Sequence, residues 1–153
     1  MIDAPQILIT TLQKVAKIHL TVPASEIRTH MGAGLKEVRQ ALADQGIAAT
    51  GAWLTHHFKV PDQIFDFEIC VPVAQAVTPQ GRVFSGELPA TKAARTVYRG
   101  DYSGLGQGWG EFLKWIRAEN LSQAGDFWEI YRVGPDDSVN PEDWETELNC
   151  PLI

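Results

Sequence analysis

Apolar residues recur along this chain with two periods, and the period predicts which segments form helices and which form strands. Between residues 24 and 46, apolar side chains return every three or four positions, which predicts a helix that ends at Gly46. The same spacing predicts a second helix from about Leu105 to Asn120. Alternating, β-branched and aromatic residues predict strands elsewhere. The predicted strand segments are 7–22, which holds one bent strand or two short ones, 51–58, 65–73, 83–98, 126–133 and 145–152.

The second half of the chain repeats the plan of the first. An offset of 74 residues carries Gly32 and Gly34 onto Gly106 and Gly108, with apolar positions matched between and after them. The last strand of each half matches at an offset of 79, because the second hairpin has a longer loop. We therefore predict one α+β domain built from a duplicated β-α-β-β repeat, about 7–74 and 82–153. Its two helices and antiparallel sheet or barrel are expected to have pseudo-twofold symmetry.

Segment 126–133, Asp-Phe-Trp-Glu-Ile-Tyr-Arg-Val, carries the first candidate for function. Strand alternation places Phe127, Glu129 and Tyr131 on one face. A carboxylate between two aromatic rings is costly to bury without a partner. Glu129 is therefore expected to meet water at a sheet edge, to pair with an internal cation, or to receive a partner from a ligand.

The repeat extends this candidate to a predicted binding pocket. By the offset of 74, residues 53, 55 and 57 are the counterparts of 127, 129 and 131. A pocket between the two halves would be walled by Trp53, His57, Phe127 and Tyr131, with Glu129 as its one strongly polar group. Aromatic walls around one convergent charge are typical of small-molecule sites.

Composition narrows the classes of protein that this chain can represent. Its 153 residues carry a formal net charge of −6, which disfavours binding to a phosphate backbone. No apolar run is long enough to span a bilayer, no signal peptide is evident, and two cysteines favour a reducing cytoplasm. No spacing of residues suggests a metal site, and no motif suggests a cofactor.

The order of several short motifs resembles the GyrI-like family, the effector-binding domain at the C-terminus of AraC- and MerR-type transcription activators. The motifs are Gly100-Asp101-Tyr102, the 105–116 helix, Trp128-Glu129-Ile130-Tyr131, Pro135, and Thr146-Glu147-Leu148 before Pro151. The resemblance covers nearly the whole chain and is strongest from Tyr98 to Leu152. Only a few residues precede the first predicted strand, so a stand-alone version without a DNA-binding module is expected.

The resemblance implies a small α+β domain whose cleft binds hydrophobic, aromatic or cationic compounds. It implies a glutamate, here Glu129, at the pocket floor, with Tyr102 and Tyr131 helping to line the pocket. Trp109, at the start of the apolar stripe of the second helix, is a further candidate for ligand binding, with a role in the core as its alternative. Binding of effectors or drugs, without direct nucleic-acid binding, is the favoured function.

Two other functions remain open at this stage. Some family members are implicated in hydrolysing cyclopropane-bearing toxins, and there Glu129 would activate water with Tyr102 as a second catalytic candidate. Others inhibit DNA gyrase, so a protein partner such as gyrase or a regulator is possible.

This sequence departs from the family pattern at Asp101, where proline is common. Asp101 is expected to loosen the pocket lip or to add a second acid.

Overall fold

The computed structural model describes all residues, 1–153, and these residues form two compact units. The Glu129 unit contains residues 1–10 and 91–153, and the His57 unit contains residues 11–90. Every strand pair described within each unit is antiparallel, and each unit has one long helix, so the fold is α+β as predicted. Neither helix combines the length and the apolar character that crossing a membrane would require.

The His57 unit contains four strands and one helix. They are β2 (Gln13–Pro23), α1 (Ile27–Asp44), β3 (Leu54–His57), β4 (Ile64–Pro72) and β5 (Phe84–Leu88). A short 3-10 turn, Ala24–Glu26, leads into α1, and Gly46 follows the helix with φ +66°, a conformation that glycine adopts without steric cost. The sheet order is β5-β2-β4-β3. The apolar stripe of α1 packs on β2 and β4 through Val38 and Leu42, which are almost completely buried.

The Glu129 unit has the same plan. Its elements are β1 (Gln6–Ile9), β6 (Lys92–Arg99), α2 (Leu105–Ala118), β7 (Phe127–Val133) and β8 (Glu145–Pro151). A 3-10 turn, Tyr102–Gly104, precedes α2, and another, Pro141–Asp143, precedes β8. The sheet order is β1-β6-β8-β7. Phe112 and Ile116 of α2 are fully buried against the sheet, as the helical period predicted.

Strand pairing confirms the repeat residue by residue. Leu54 lies opposite Cys70 in the His57 unit, and Trp128 lies opposite Asn149 in the Glu129 unit, which reproduces the offsets of 74 and 79. The outer strand of each unit comes from an unexpected part of the sequence. Strand β1 pairs with β6, and β5 pairs with β2, so each outer strand joins the central strands of the other sequence repeat. Hydrophobic periodicity carries no information about which strand a neighbour will pair with.

The two helix glycines that defined the repeat have a packing role. A Cβ on Gly34 would lie 2.6 Å from Cδ1 of Ile69, and a Cβ on Gly108 would lie 2.7 Å from Cδ1 of Tyr98. Both distances are shorter than van der Waals contact, so a Cβ at either position would force the neighbouring side chain or the helix to shift. Gly32 and Gly106, the other matched pair, face open space.

Candidate functional site

Glu129 lies on β7 within the Glu129 unit, with only 8% of its surface exposed. Its side chain faces α2, where Trp109 Nε1 donates a hydrogen bond of 2.6 Å to Oε2. The hydroxyl of Tyr131, two residues further along β7, donates a hydrogen bond of 2.8 Å to Oε1. Neither donor is charged, and no lysine, arginine or histidine forms an ion pair with this carboxylate. Of the three surroundings expected for Glu129, contact with water and pairing with an internal cation are therefore wrong.

Burial determines the protonation behaviour of Glu129. Loss of water raises the pKa of its carboxyl group above the usual value, and the hydrogen bonds from Trp109 and Tyr131 offset only part of this rise. An indole N–H can donate but cannot accept, so Oε2 is an acceptor in both protonation states. In the neutral form, a proton on Oε1 can be accepted by the Tyr131 hydroxyl, whereas Trp109 cannot accept a proton carried by Oε2.

Aromatic rings surround the carboxylate inside this unit. The ring of Phe127 meets Trp109 edge to face at a centroid distance of 4.8 Å, and both residues are half-buried. The ring of Tyr102 meets Tyr131 in the same manner at 6.0 Å. Tyr102 is 36% exposed, which makes it the most accessible of these rings. Burial, followed by the nearby charge of Glu129, raises the pKa of its phenol, so Tyr102 stays neutral at physiological pH.

The turn that presents Tyr102 is fixed by Asp101. The Asp101 carboxylate accepts a hydrogen bond of 2.8 Å from the backbone N–H of Ser103 and another from its hydroxyl. These bonds hold the pKa of Asp101 below its usual range. The expectation that Asp101 loosens the lip is therefore wrong, because its Oδ1 caps the turn, and the lowered pKa argues against its role as a second acid.

Two residues of the predicted pocket, Trp53 and His57, belong to the other unit. Trp53 is half-buried and packs against the core of the His57 unit. His57 is buried, its ring is stacked on Phe67 at 5.2 Å, and its Nε2 lies 3.1 Å from Oγ1 of Thr55. Burial lowers the pKa of His57 to about 4, so its ring is neutral at physiological pH. Their contact with a ligand stays a prediction.

Trp144 also belongs to this aromatic group, although the sequence did not single it out as a site residue. The Trp144 ring lies 5.1 Å from that of Tyr102, and its Nε1 donates a hydrogen bond of 3.0 Å to the carbonyl of Ser138. Its position directly before β8, after an acidic loop, was the only available signal. That signal was weak. Trp144 follows the 3-10 turn Pro141–Asp143, and such a short turn has neither helical nor strand periodicity in the sequence.

The family model described as the GyrI-like small molecule binding domain matches residues 4–153. The chain belongs to the GyrI-like family. No curated protein sequence matches it significantly.

Among solved structures, the C-terminal domain of EcmrR superposes with a TM-score of 0.87 at 19% identity, covering 98% of this chain and 97% of that one. A protein named SAV2435, solved bound to tetraphenylphosphonium, has a TM-score of 0.66 at 16% identity and covers 99% and 94%. A structure described as a hydrolase from Listeria innocua has a TM-score of 0.67 at 12% identity and covers 97% and 91%. At these identities the superpositions show a shared GyrI-like fold.

Proposed function

We propose that this GyrI-like chain binds lipophilic aromatic cations, with Glu129 as the counter-ion. The observation that carries the proposal is a buried carboxylate that has two neutral hydrogen-bond donors and no cationic partner. Burying such a group costs free energy, which a bound cation would return by favouring the ionised form. The tetraphenylphosphonium seen with a protein of the same fold supports this class of ligand.

The neighbouring side chains have separate roles in this proposal. Trp109 and Tyr131 hold the two carboxylate oxygens, so the charge keeps one orientation. The rings of Phe127 and Tyr102 supply faces for aromatic groups and for cation–π attraction, worth about 0.5–2 kcal/mol for each ring. Tyr102, which is the most exposed, is the ring that an entering ligand meets first.

Replacement of Glu129 by glutamine tests the proposal, since it removes the charge and keeps the shape and hydrogen-bonding capacity. Tetraphenylphosphonium should quench the tryptophan fluorescence of the chain with micromolar affinity, and Glu129→Gln should weaken that affinity more than tenfold, or by about 1.4 kcal/mol. The affinity for triphenylphosphine oxide, a neutral analogue, should change little in Glu129→Gln. Glu111→Gln, at an exposed position of α2, removes one charge elsewhere and should leave both affinities unchanged. Equal losses for the cation and the neutral analogue would refute the counter-ion role.

Hydrolysis is the second candidate function, and the raised pKa of Glu129 is the observation that favours it. A carboxyl group whose pKa is raised by burial can act as a general base or acid. Tyr131 is the hydroxyl in direct contact with it, whereas Asp101 is occupied by its turn. Turnover of a cyclopropane-bearing electrophile that disappears in Glu129→Gln, with ligand binding retained, would support this function. Binding without turnover would favour the cation-binding proposal.

A further inference from the structure

Thr146 is a buried polar residue beside the Glu129 site that neither the fold nor the proposed function explains. Its side chain is completely buried, and its Oγ1 has no hydrogen-bond partner in the structure. Leaving a buried hydroxyl unsatisfied costs about 1–3 kcal/mol. Valine has nearly the same shape, favours strands and would avoid this cost, so packing alone gives no reason for a threonine here.

Strand register places Thr146 next to the carboxylate's own partner. Thr146 lies directly opposite Tyr131 on β7 and opposite Tyr98 on β6. By strand alternation it shares the α2-facing side of β8 with Leu148, the residue opposite Glu129. Thr146 and Glu129 are therefore diagonal neighbours on one face, close enough for a single bound molecule to touch both.

The two tyrosines on either side of Thr146 have different partners. The Tyr98 hydroxyl donates a hydrogen bond of 2.8 Å to the carbonyl of Asp101, and its ring packs against Gly108. Tyr131 belongs to the site, and its outer neighbour is the partly exposed Tyr102. A polar atom of a molecule bound at Glu129 therefore reaches Thr146 from the Tyr131 side, which requires the Tyr131 side chain to shift.

We infer that the hydroxyl of Thr146 is a hydrogen-bonding contact for the small molecule bound at Glu129. This inference rests on the proposed function and makes it more specific. The preferred ligands are aromatic cations that also carry a hydroxyl or carbonyl group, placed to reach Thr146 while the cationic centre faces Glu129. Thr146 thus selects among cations that the carboxylate alone would treat alike.

The test uses tetraphenylphosphonium, which has no hydrogen-bonding group, and the 2-, 3- and 4-hydroxyphenyl triphenylphosphonium isomers. Thr146→Val removes the hydroxyl at nearly constant volume. It should weaken binding of at least one hydroxylated isomer about fivefold, the effect of losing one hydrogen bond, and change tetraphenylphosphonium binding less than twofold. Thr146→Ser should retain the discrimination. Equal effects of Thr146→Val on all four cations, or no effect on any, would overturn the inference.

Thermal unfolding without ligand provides an independent control. If the hydroxyl has no partner in the free protein, Thr146→Val should leave the melting temperature unchanged or raise it. A lower melting temperature would mean that the hydroxyl already bonds a buried water or protein group, and that result would also overturn the inference.

The proposed function is judged separately: it fails if tetraphenylphosphonium does not bind, or if its binding is insensitive to Glu129→Gln. The Thr146 inference fails alone if that cation binds as proposed and the hydroxylated isomers show no dependence on Thr146.

Discussion

At the scale of single residues, Glu129 couples the site to pH. Its pKa is raised in the folded chain, so the folded state binds more protons than the unfolded state between the usual carboxyl pKa of 4.5 and the folded value. The free energy of unfolding contributed by this group therefore falls as pH rises through that window. Below pH 4.5 the carboxyl group is largely protonated in both states, and the penalty disappears.

Glu129→Gln, which cannot ionise, should consequently be more stable than the natural chain at neutral pH. The gain should shrink as pH falls towards 4.5, because the natural chain is then neutral at this position too. Urea unfolding of both proteins between pH 4 and pH 8 measures the difference directly. A difference that does not change with pH would mean that Glu129 has the same pKa in the folded and unfolded chains.

Tyr131 affects the pKa of Glu129 in the opposite direction to burial. Its hydrogen bond stabilises the ionised carboxylate and so lowers the pKa of Glu129. Tyr131→Phe removes that bond and keeps the ring, so the pKa of Glu129 should rise further. The pH at which tetraphenylphosphonium affinity reaches half of its maximum should then move upward, as isothermal titration calorimetry over a pH series would show. An unchanged midpoint would mean that the hydroxyl does not act on the carboxylate.

At the scale of elements, the position of α2 determines whether Trp109 reaches Glu129. Gly108 precedes Trp109 and lies against the Tyr98 ring, whereas Gly106 and Gly110 of the same helix face open space. Gly108→Ala would force the helix or the ring to shift. It should destabilise the fold and weaken tetraphenylphosphonium binding, because the 2.6 Å bond from Trp109 to Glu129 would be disturbed.

The two open glycines are matched controls for this substitution. Gly106→Ala and Gly110→Ala should each raise the free energy of unfolding by about 0.5–1 kcal/mol, since alanine loses less backbone entropy in a helix. Neither should alter cation affinity. Chemical unfolding and fluorescence titration of the three variants separate the effect of helix propensity from that of close packing. A stabilising Gly108→Ala would contradict the packing role.

At the scale of the whole molecule, the strand position held by Glu129 carries a carboxylate in one unit only. In the His57 unit Thr55 takes the position of Glu129 and His57 that of Tyr131, and the two residues are hydrogen-bonded as Tyr131 and Glu129 are. The counterpart of Trp109 is Leu35, which cannot donate a hydrogen bond. The repeated backbone therefore preserves the pairing geometry, while the carboxylate at this position and its indole donor occur in one copy.

Charge provides a prediction at the same scale. With a net charge of −6, the chain should show no measurable binding to duplex DNA at physiological salt, because such binding depends on clustered lysine and arginine. Fluorescence anisotropy with a labelled duplex is the measurement. An anisotropy increase that weakens steeply with added salt would show the prediction to be wrong.

The sequence by itself determined the elements of this protein and their duplication. The stripes of α1 and α2 and the alternation in β7 were readable because burial imposes a period of 3.6 or 2 residues on the side chains. The matched glycines made the repeat recognisable, and Gly34 and Gly108 lie where a Cβ would clash with a sheet residue. Glu129 was recognisable because a charge between aromatic residues on a strand breaks the expected pattern.

Only the tertiary structure decided what those elements contact. The exchange of β1 and β5 between the repeats, the bond from Trp109 to Glu129 and the capping role of Asp101 depend on register and loop geometry. Trp109 and Glu129 lie on different elements, and a helical period predicts that an indole is buried, not which atom its N–H will meet. The sequence likewise could not predict that the Thr146 hydroxyl lacks a hydrogen-bond partner, because partners depend on packing between elements. Local periodicity reports which side of an element is buried, whereas hydrogen-bond partners are set by how separate elements pack.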